Sequence, residues 1–430
     1  MDAFVIHGGR RLRGTVTVSG SKNASLPLMA AALLAEGPVT LEDVPHLSDV
    51  ANMVKLLREL GCEVSHEPQQ PMKLRVVDEM NSHARYDVVR TMRASICVLG
   101  PLLAKRGEAL VSMPGGCAIG DRPVDLHLRG LAALGAEIEL DGGNIHVRAR
   151  RLRGARVFLG GPFGPTVLGT INVMSAASVA EGTTVIEQAA CEPEVADVAA
   201  FLGAMGAQIS GAGTPRITVE GVERLDSADY RVMPDRIEAG TWLMTAAVAN
   251  GDLRVENCPT DSLGALLDRL EQIGVSVEPA DADQDPLRSA VNVSSARRLE
   301  PVAVTTQPHP GFPTDLQAQM MTLLSLADGN SMITEKVFPD RFLHVAELSR
   351  MGAKLYRQGP TVMVSGVKRL VGAPVMASDL RASASLVMAG LAAKGTTTIN
   401  RVYHLDRGYE QLDEKLRQVG AEIERVRSGI

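Results

Sequence analysis

The ten residues from Pro114 to Pro123, Pro-Gly-Gly-Cys-Ala-Ile-Gly-Asp-Arg-Pro, combine a thiol, a guanidinium and a chain of restricted shape. Three glycines and two prolines exclude a helix or a central strand and describe a loop that can carry backbone N–H groups close to a ligand. Arg122 lies five residues after Cys117, and a guanidinium nearby favours the thiolate over the thiol. Val124-Asp125-Leu126-His127-Leu128 reads as the start of a helix, whose N-terminus adds positive potential. Taken alone, the loop is also readable as a surface turn with an idle cysteine, since free cysteines are usually buried and inert.

The elements that must position this loop recur along the chain. An apolar residue, a glycine, a small, apolar or cysteine residue and a second apolar residue two further on appear around Gly61, Gly135, Gly206, Gly274, Gly352 and Gly420. A helical pattern precedes each one, so the glycine reads as a helix C-cap with a strand after it. A second marker, a small-residue helix ending in glycine and then a strand, ends at Gly37, Gly107, Gly182, Gly251, Gly329 and Gly395. Six units of roughly seventy residues, too long for a common solenoid repeat, alternate helix and strand and predict an α/β protein.

The residues that open the helices differ from copy to copy. Lys22, Arg93, Arg122, Arg236, Arg341, Arg381 and Arg407 all fall near predicted helix N-termini, where the macrodipole disfavours a cation by a few tenths to about one kcal/mol. Cations placed there point to an anion held jointly by N-terminal amides and side chains. Asp315 and Asp379 are each readable, taken alone, as a plain N-cap. Arg341 and Arg236 are each readable as an interdomain ion pair, the favoured reading for Arg236.

Composition narrows the function classes. The chain has 430 residues, 45% hydrophobic and 22% charged, enough for two domains with full cores. Aromatic content of 3% leaves too few stacking residues for a single-strand nucleic-acid binder. A net charge of −6 argues against a general polyanion-binding surface, so an anionic substrate must meet a local cationic pocket. The five cysteines, 62, 97, 117, 191 and 258, form no CxxC pair, so neither a disulfide framework nor a zinc site is expected. Cys62, Cys97, Cys191 and Cys258 read as structural. No signal pattern opens the chain, and the apolar run from Leu26 to Ala35 is too short to span a bilayer. The expectation is a cytoplasmic protein with no nucleic-acid or membrane partner.

Several blocks together resemble the UDP-N-acetylglucosamine 1-carboxyvinyltransferase family of enolpyruvyl transferases. They are Ser19-Gly20-Ser21-Lys22-Asn23-Ala24, Thr91-Met92-Arg93-Ala94-Ser95, the Pro114 to Pro123 loop, His309-Pro310-Gly311-Phe312-Pro313-Thr314-Asp315, Asp379-Leu380-Arg381-Ala382-Ser383 and Asp406-Arg407-Gly408-Tyr409-Glu410. The resemblance spans essentially the whole chain. It implies the inside-out α/β barrel of the enolpyruvyl-transferase fold, with two domains, each of three βαβαββ-type units. One domain would be 21–233, carrying the Cys117 loop, and the other 1–20 with 234–430, with substrates in the cleft.

The implied reaction moves the enolpyruvyl group of phosphoenolpyruvate to the 3′-hydroxyl of UDP-N-acetylglucosamine and releases phosphate, with no cofactor and no metal. By the resemblance, Cys117, Asp315, Lys22 and Arg407 are catalytic. Cys117 is the proton donor and Asp315 the base near the sugar hydroxyl. Lys22, Arg122 and Arg407 would hold phosphate and carboxylate, with Arg381 and Arg341 close by, while Asn23, Arg93 and Asp315 face the nucleotide sugar. Pro123, Asp125, Leu126, Thr166, Val167, Phe338 and Asp379 complete the implied substrate-binding set. The expected assembly is a monomer or a weak homo-oligomer.

Two departures from the family pattern are visible. Pro165-Thr166-Val167-Leu168-Gly169-Thr170 has Leu168 where a glycine is usual, and Asp121 stands where a small residue is common. Two alternatives stay open: the same fold acting on another acceptor, of the shikimate-3-phosphate type, and a catalytically silent paralogue that binds a UDP-sugar.

Overall fold

Six glycines each follow a helix and turn the chain into a strand. Gly61, Gly135, Gly206, Gly274, Gly352 and Gly420 all take positive φ, from 85° to 108°, a conformation that glycine adopts without a steric penalty. The strands that follow are Cys62–Ser65, Glu137–Asp141, Gln208–Ser210, Val275–Pro279, Lys354–Gln358 and Glu422–Arg427. The structure, a computed structural model, describes residues 2–68, 70–113, 124–282, 285–295 and 298–427. At the second marker, Gly37 and Gly251 are not left-handed; Asn250, with φ of 51°, takes that conformation just before Gly251.

Each of these strands is the edge of a four-stranded sheet, and the six sheets share one order. A leading strand runs parallel to the second, the third is antiparallel to the second, and the edge strand is antiparallel to the third. The described chain divides into two compact units, residues 20–113 with 124–233 and residues 2–19 with 234–427.

In the first unit the sheets are led by Ala228–Arg231, His83–Ala84 and Arg156–Phe158. The leading strand of its first sheet thus comes from the end of the segment. In the second unit the N-terminal residues fill two places. Arg13–Thr17 leads one sheet beside Asp252–Cys258, and Asp2–His7 lies between Thr396–Asn400 and Glu422–Arg427 in another. Antiparallel pairing of Phe4 with Ile399 and Arg425 sets that register.

Helices form the interior of each unit. Every residue of Arg236–Val248 and of Gln317–Leu324 is buried, as is all of Leu380–Ala392 but its first residue. These three helices pack against one another. Their sequences are mostly apolar or small, as suits a helix surrounded by protein, with Arg236, Glu238, Gln317, Gln319 and Arg381 buried among them. In the first unit Leu99–Arg106 and Val167–Ala177 pack together in the same way. The helices that end at the marker glycines are amphipathic instead. Gly264–Ile273 buries Leu266, Leu270 and Ile273, one stripe at helical spacing. Full burial of each such side chain contributes about 1.5–3 kcal/mol.

Helix-to-helix distance is set in part by Gly100. Its N–H donates to Oδ1 of buried Asn172 at 2.8 Å, and Asn172 Nδ2 reaches the Ile96 carbonyl at 2.9 Å and His127 Nδ1 at 2.9 Å. A Cβ at Gly100 would lie 2.2 Å from the Asn172 carbonyl oxygen, whereas one at Gly203, inside Pro193–Ala204, meets nothing within 4 Å. Gly100→Ala is therefore expected to lower stability by about 1–3 kcal/mol through overpacking. Gly203→Ala should raise it by roughly 0.5–1 kcal/mol through helix propensity. Denaturant titration of both variants checks the pair, and equal behaviour would contradict the close-approach argument.

Candidate active site

In the unit of residues 234–427, the turn Thr314–Leu316 runs directly into the buried helix Gln317–Leu324 and carries Asp315 at its centre. Arg341 Nη1 donates to Asp315 Oδ1 at 2.6 Å, and Arg381 approaches Oδ2 with Nη2 at 3.2 Å and Nε at 3.3 Å. The guanidinium side chains are 8% and 2% exposed, the carboxylate 26%. Two buried cations thus stand behind a carboxylate that reaches solvent. The turn makes no side-chain cap bond, so Asp315 is not an N-cap, and Arg341 spends its charge on Asp315 within its own unit.

Asp379 is the cap. Its Oδ1 accepts from the N–H groups of Arg381 and Ala382 at 2.9 and 3.0 Å, opening the helix Leu380–Ala392. Capping fixes where the Arg381 side chain begins. Burial works against the charge of Arg381, and the fields of Tyr409, Asp315 and Asp235 outweigh it, so the guanidinium stays protonated well above neutrality. The Arg381 guanidinium carbon also lies 5.4 Å from the Tyr409 ring centre. Tyr409 in turn is tied to Thr241 at 3.0 Å and to Gln319 Nε2 at 3.2 Å.

Gln319 Nε2 also donates to the Asp315 carbonyl at 3.0 Å. Arg407 ends the turn Val402–Arg407 and is half-buried. The next residue, Gly408, lies so close to the start of Leu380–Ala392 that a Cβ there would meet Leu380 Cδ2 at 2.5 Å. Phe338 lies half-buried with the Arg341 guanidinium carbon 5.9 Å from its ring centre. His344 is held neutral beside Arg341: burial, then the guanidinium field, pull its pKa down to about 3.

In the unit of residues 20–233, Ser21 caps the helix Lys22–Ala31 by accepting from Ala24 N at 3.2 Å. Lys22 Nζ reaches Asp49 Oδ2 at 3.3 Å, with the side chains 12% and 3% exposed. Asp49 lies in the first turn of Ser48–Glu59. Asn23 is half-buried beside Lys22, and half-buried Arg93 opens the turn Arg93–Val98 ahead of Leu99–Arg106. Thr166 caps Val167–Ala177 by accepting from Gly169 N at 3.2 Å; Val167 and Leu168 are half-buried on its first turn. Asp125 is exposed and Leu126 buried at the start of Asp125–Ala133. Cys117, Asp121, Arg122 and Pro123 lie outside the described residues.

Burial disfavours the thiolate of the other four cysteines. Burial pushes Cys62 up to about 11 and Cys97 and Cys258 up to about 12, and burial with Glu192 raises Cys191. Sequence reading missed two carboxylates that touch this machinery. Asp49, in the first turn of Ser48–Glu59, is not among the expected site residues, and Glu335, buried beneath the Thr314 turn, has no local signal at all.

Comparison with known proteins identifies the family. The model of the family EPSP synthase (3-phosphoshikimate 1-carboxyvinyltransferase) matches residues 6–416. The chain is similar to proteins named UDP-N-acetylglucosamine 1-carboxyvinyltransferase from several bacteria. It is 49% identical to that of Methylacidiphilum infernorum over 100% of both chains, and 50% identical to that of Coxiella burnetii over 100% of this chain and 97% of the relative. It is 52% identical to that of Nitratidesulfovibrio vulgaris over 99% of each.

Among solved structures, the enolpyruvyl transferase NikO from Streptomyces tendae superposes with a TM-score of 0.89 at 26% identity, covering 99% of each chain. EPSP synthase from Acinetobacter baumannii, at 19% identity, shares the fold with a TM-score of 0.77, covering 99% of this chain and 100% of that one. With half its residues identical along the full length of such relatives, and with the α/β fold of the enolpyruvyl transferases, the chain belongs to the UDP-N-acetylglucosamine 1-carboxyvinyltransferase family.

Proposed function

We propose that this enzyme transfers the enolpyruvyl group of phosphoenolpyruvate to the 3′-hydroxyl of UDP-N-acetylglucosamine and releases phosphate, the first committed step of peptidoglycan synthesis. The observation that carries the reading is identity of about half the residues, over the whole chain, with enzymes of that name. Asp315, open on one side and backed by Arg341 and Arg381, supports it as a group able to face a sugar hydroxyl.

The chemistry is addition followed by elimination. Asp315 takes the proton of the acceptor hydroxyl as that oxygen bonds to the enol carbon bearing phosphate. Cys117 delivers a proton to the methylene carbon. Loss of a proton from the same carbon then restores the double bond and expels phosphate. Lys22, Arg122 and Arg407 hold the phosphate and carboxylate of phosphoenolpyruvate, with Arg341 and Arg381 nearby. Asn23, Arg93, Pro123, Asp125, Leu126, Thr166, Val167, Phe338 and Asp379 complete the substrate contacts. A cation about 4 Å from an anionic oxygen gains roughly 4 kcal/mol at an effective dielectric near 20, so three or four cations organise the substrate's charge.

In this reading residues 21–233 and residues 1–20 with 234–430 are the two enolpyruvyl-transferase domains, each an inside-out barrel of three units. The enzyme works in the cytoplasm as a monomer or weak homo-oligomer. No helix among the described residues is long and apolar enough to cross a membrane.

A phosphate-release assay tests the acceptor. Turnover is expected with UDP-N-acetylglucosamine and none with shikimate-3-phosphate; the reverse result would move the chain to the other acceptor class. Arg407→Ala should lose turnover by orders of magnitude and keep its melting temperature, because Arg407 belongs to no core. Lys22→Ala should lose turnover and also about 1–3 kcal/mol of stability, since it strips a cation from buried Asp49. Near-normal turnover in either variant removes that residue from the site.

A thiol activated beside a guanidinium is a ready nucleophile, so the epoxide phosphonate fosfomycin should alkylate Cys117. Cys117→Ser should cost ~10²–10⁴-fold in rate, the worth of a general acid. Cys117→Asp, which still carries a proton when its pKa is raised, should keep activity biased to acidic pH and resist the epoxide. Mass spectrometry placing the adduct on Cys62, Cys97, Cys191 or Cys258, all raised in pKa by burial, would defeat the assignment.

A further inference from the structure

We propose that Glu335 is a positioning residue for the Asp315–Arg341 pair, acting through the hydroxyl of Thr314. The inference rests on the reading above that Asp315 faces the acceptor sugar.

Glu335 follows the strand Asn330–Thr334 and is fully buried. Its carboxylate meets four donors. Oε1 accepts from Thr306 Oγ1 at 2.6 Å, Val337 N at 2.8 Å and Phe338 N at 3.0 Å, while Oε2 accepts from Thr314 Oγ1 at 2.9 Å. An ionised carboxylate only accepts, and a threonine hydroxyl has a single hydrogen to give. With that hydrogen committed to Glu335, the lone pairs of Thr314 are left for Arg341. Arg341 Nη1 forks to Thr314 Oγ1 at 3.1 Å and to Asp315 Oδ1 at 2.6 Å.

The bonds therefore run in one direction, from Arg341 to Thr314 to Glu335, and the buried charge at the end sets that direction. The same carboxylate holds the amides of Val337 and Phe338, and the Phe338 carbonyl accepts from Arg341 N at 2.9 Å. One side chain thus fixes both the backbone that presents Arg341 and the hydroxyl that steers its guanidinium.

Glutamine at 335 would fill the same space and keep the amide bonds through its oxygen. Its NH2 would then donate to Thr314, which would receive two donors while its own hydrogen lost its acceptor. The fork on Arg341 would loosen without loss of the core.

The test compares wild type, Glu335→Gln, Glu335→Asp and Thr314→Val, measuring kcat, KM for each substrate and melting temperature. Glu335→Gln and Thr314→Val are expected to lose kcat on the order of tenfold to a hundredfold, as a misplacement of about 1 Å does. Their KM for phosphoenolpyruvate should stay within about twofold and melting should shift by only a few degrees, since the loss is confined to the transition state. Glu335→Asp, still acceptor-only, should recover part of the loss.

Wild-type kcat in Glu335→Gln would overturn the proposal, as would an aspartate variant no better than glutamine with both melting early. Should Glu335→Gln fail to fold, Thr314→Val decides, and full kcat there overturns it. A wild-type enzyme that releases no phosphate would overturn the activity reading itself, and this inference with it.

Discussion

A carboxylate held between two buried guanidiniums is the constraint around which residues 234–427 are arranged. Taking a cation out of water costs several kcal/mol, and only close, well-directed partners offset it. Arg341 and Arg381 are 7% and 2% exposed, so Asp315 must stay where both reach it. The surrounding bonds serve that requirement. Asp379 starts the helix that launches Arg381, Tyr409 lies under its guanidinium, and Gln319 holds the Asp315 backbone from one turn further along. A change to any of these reaches the carboxylate through the geometry of its cations.

The first unit solves a similar problem with one pair. Lys22 opens a helix, where the macrodipole opposes a cation, and Asp49 at the start of a second helix supplies the compensating charge. Both charges sit on the first turns of helices, one almost wholly buried beyond Asn23 and the other burying the stripe Val50, Met53, Val54, Leu56 and Leu57. The scaffold repeats one sheet order six times, while the openings of its helices and turns differ: Lys22, Asp49, Arg93 and Asp315 stand in first turns, and Thr166 and Asp379 are caps. Rigid interiors with variable openings hold these side chains on elements that cannot drift, which loops alone would not do.

Buried carboxylates divide the labour. Asp235 caps the helix Arg236–Val248 through the amides of Ile237 and Glu238. Glu238, buried on that helix, meets Lys415 at 2.7 Å and the Ser19 amide at 3.0 Å. Glu335 takes four donors and so gives direction to a hydroxyl it touches only once. Each is satisfied, which is the condition for leaving a charge in an aliphatic interior.

How much of this was readable in advance follows from the range of each interaction. The six glycine caps were legible because a left-handed residue after a helix is a local demand, met within a few residues. The α/β class was legible from the alternation of helix and strand signals, and the family from blocks spread over the whole chain. Asp379 and Asp315 show where that reach ends: both carry the same sequence signal, yet one caps its helix and the other is claimed by Arg341 and Arg381, which lie 26 and 66 residues away.

Nothing near Glu335 in the chain announced its bonds to Thr306 and Thr314, and nothing in the first seven residues announced a strand between Thr396–Asn400 and Glu422–Arg427. The sequence by itself determined the six glycine caps, the alternation of helix and strand and the inventory of charges, because those depend on neighbours along the chain. Only the tertiary structure decided which charges meet and which strand completes which sheet, because those pairings join residues that lie tens to hundreds of positions apart.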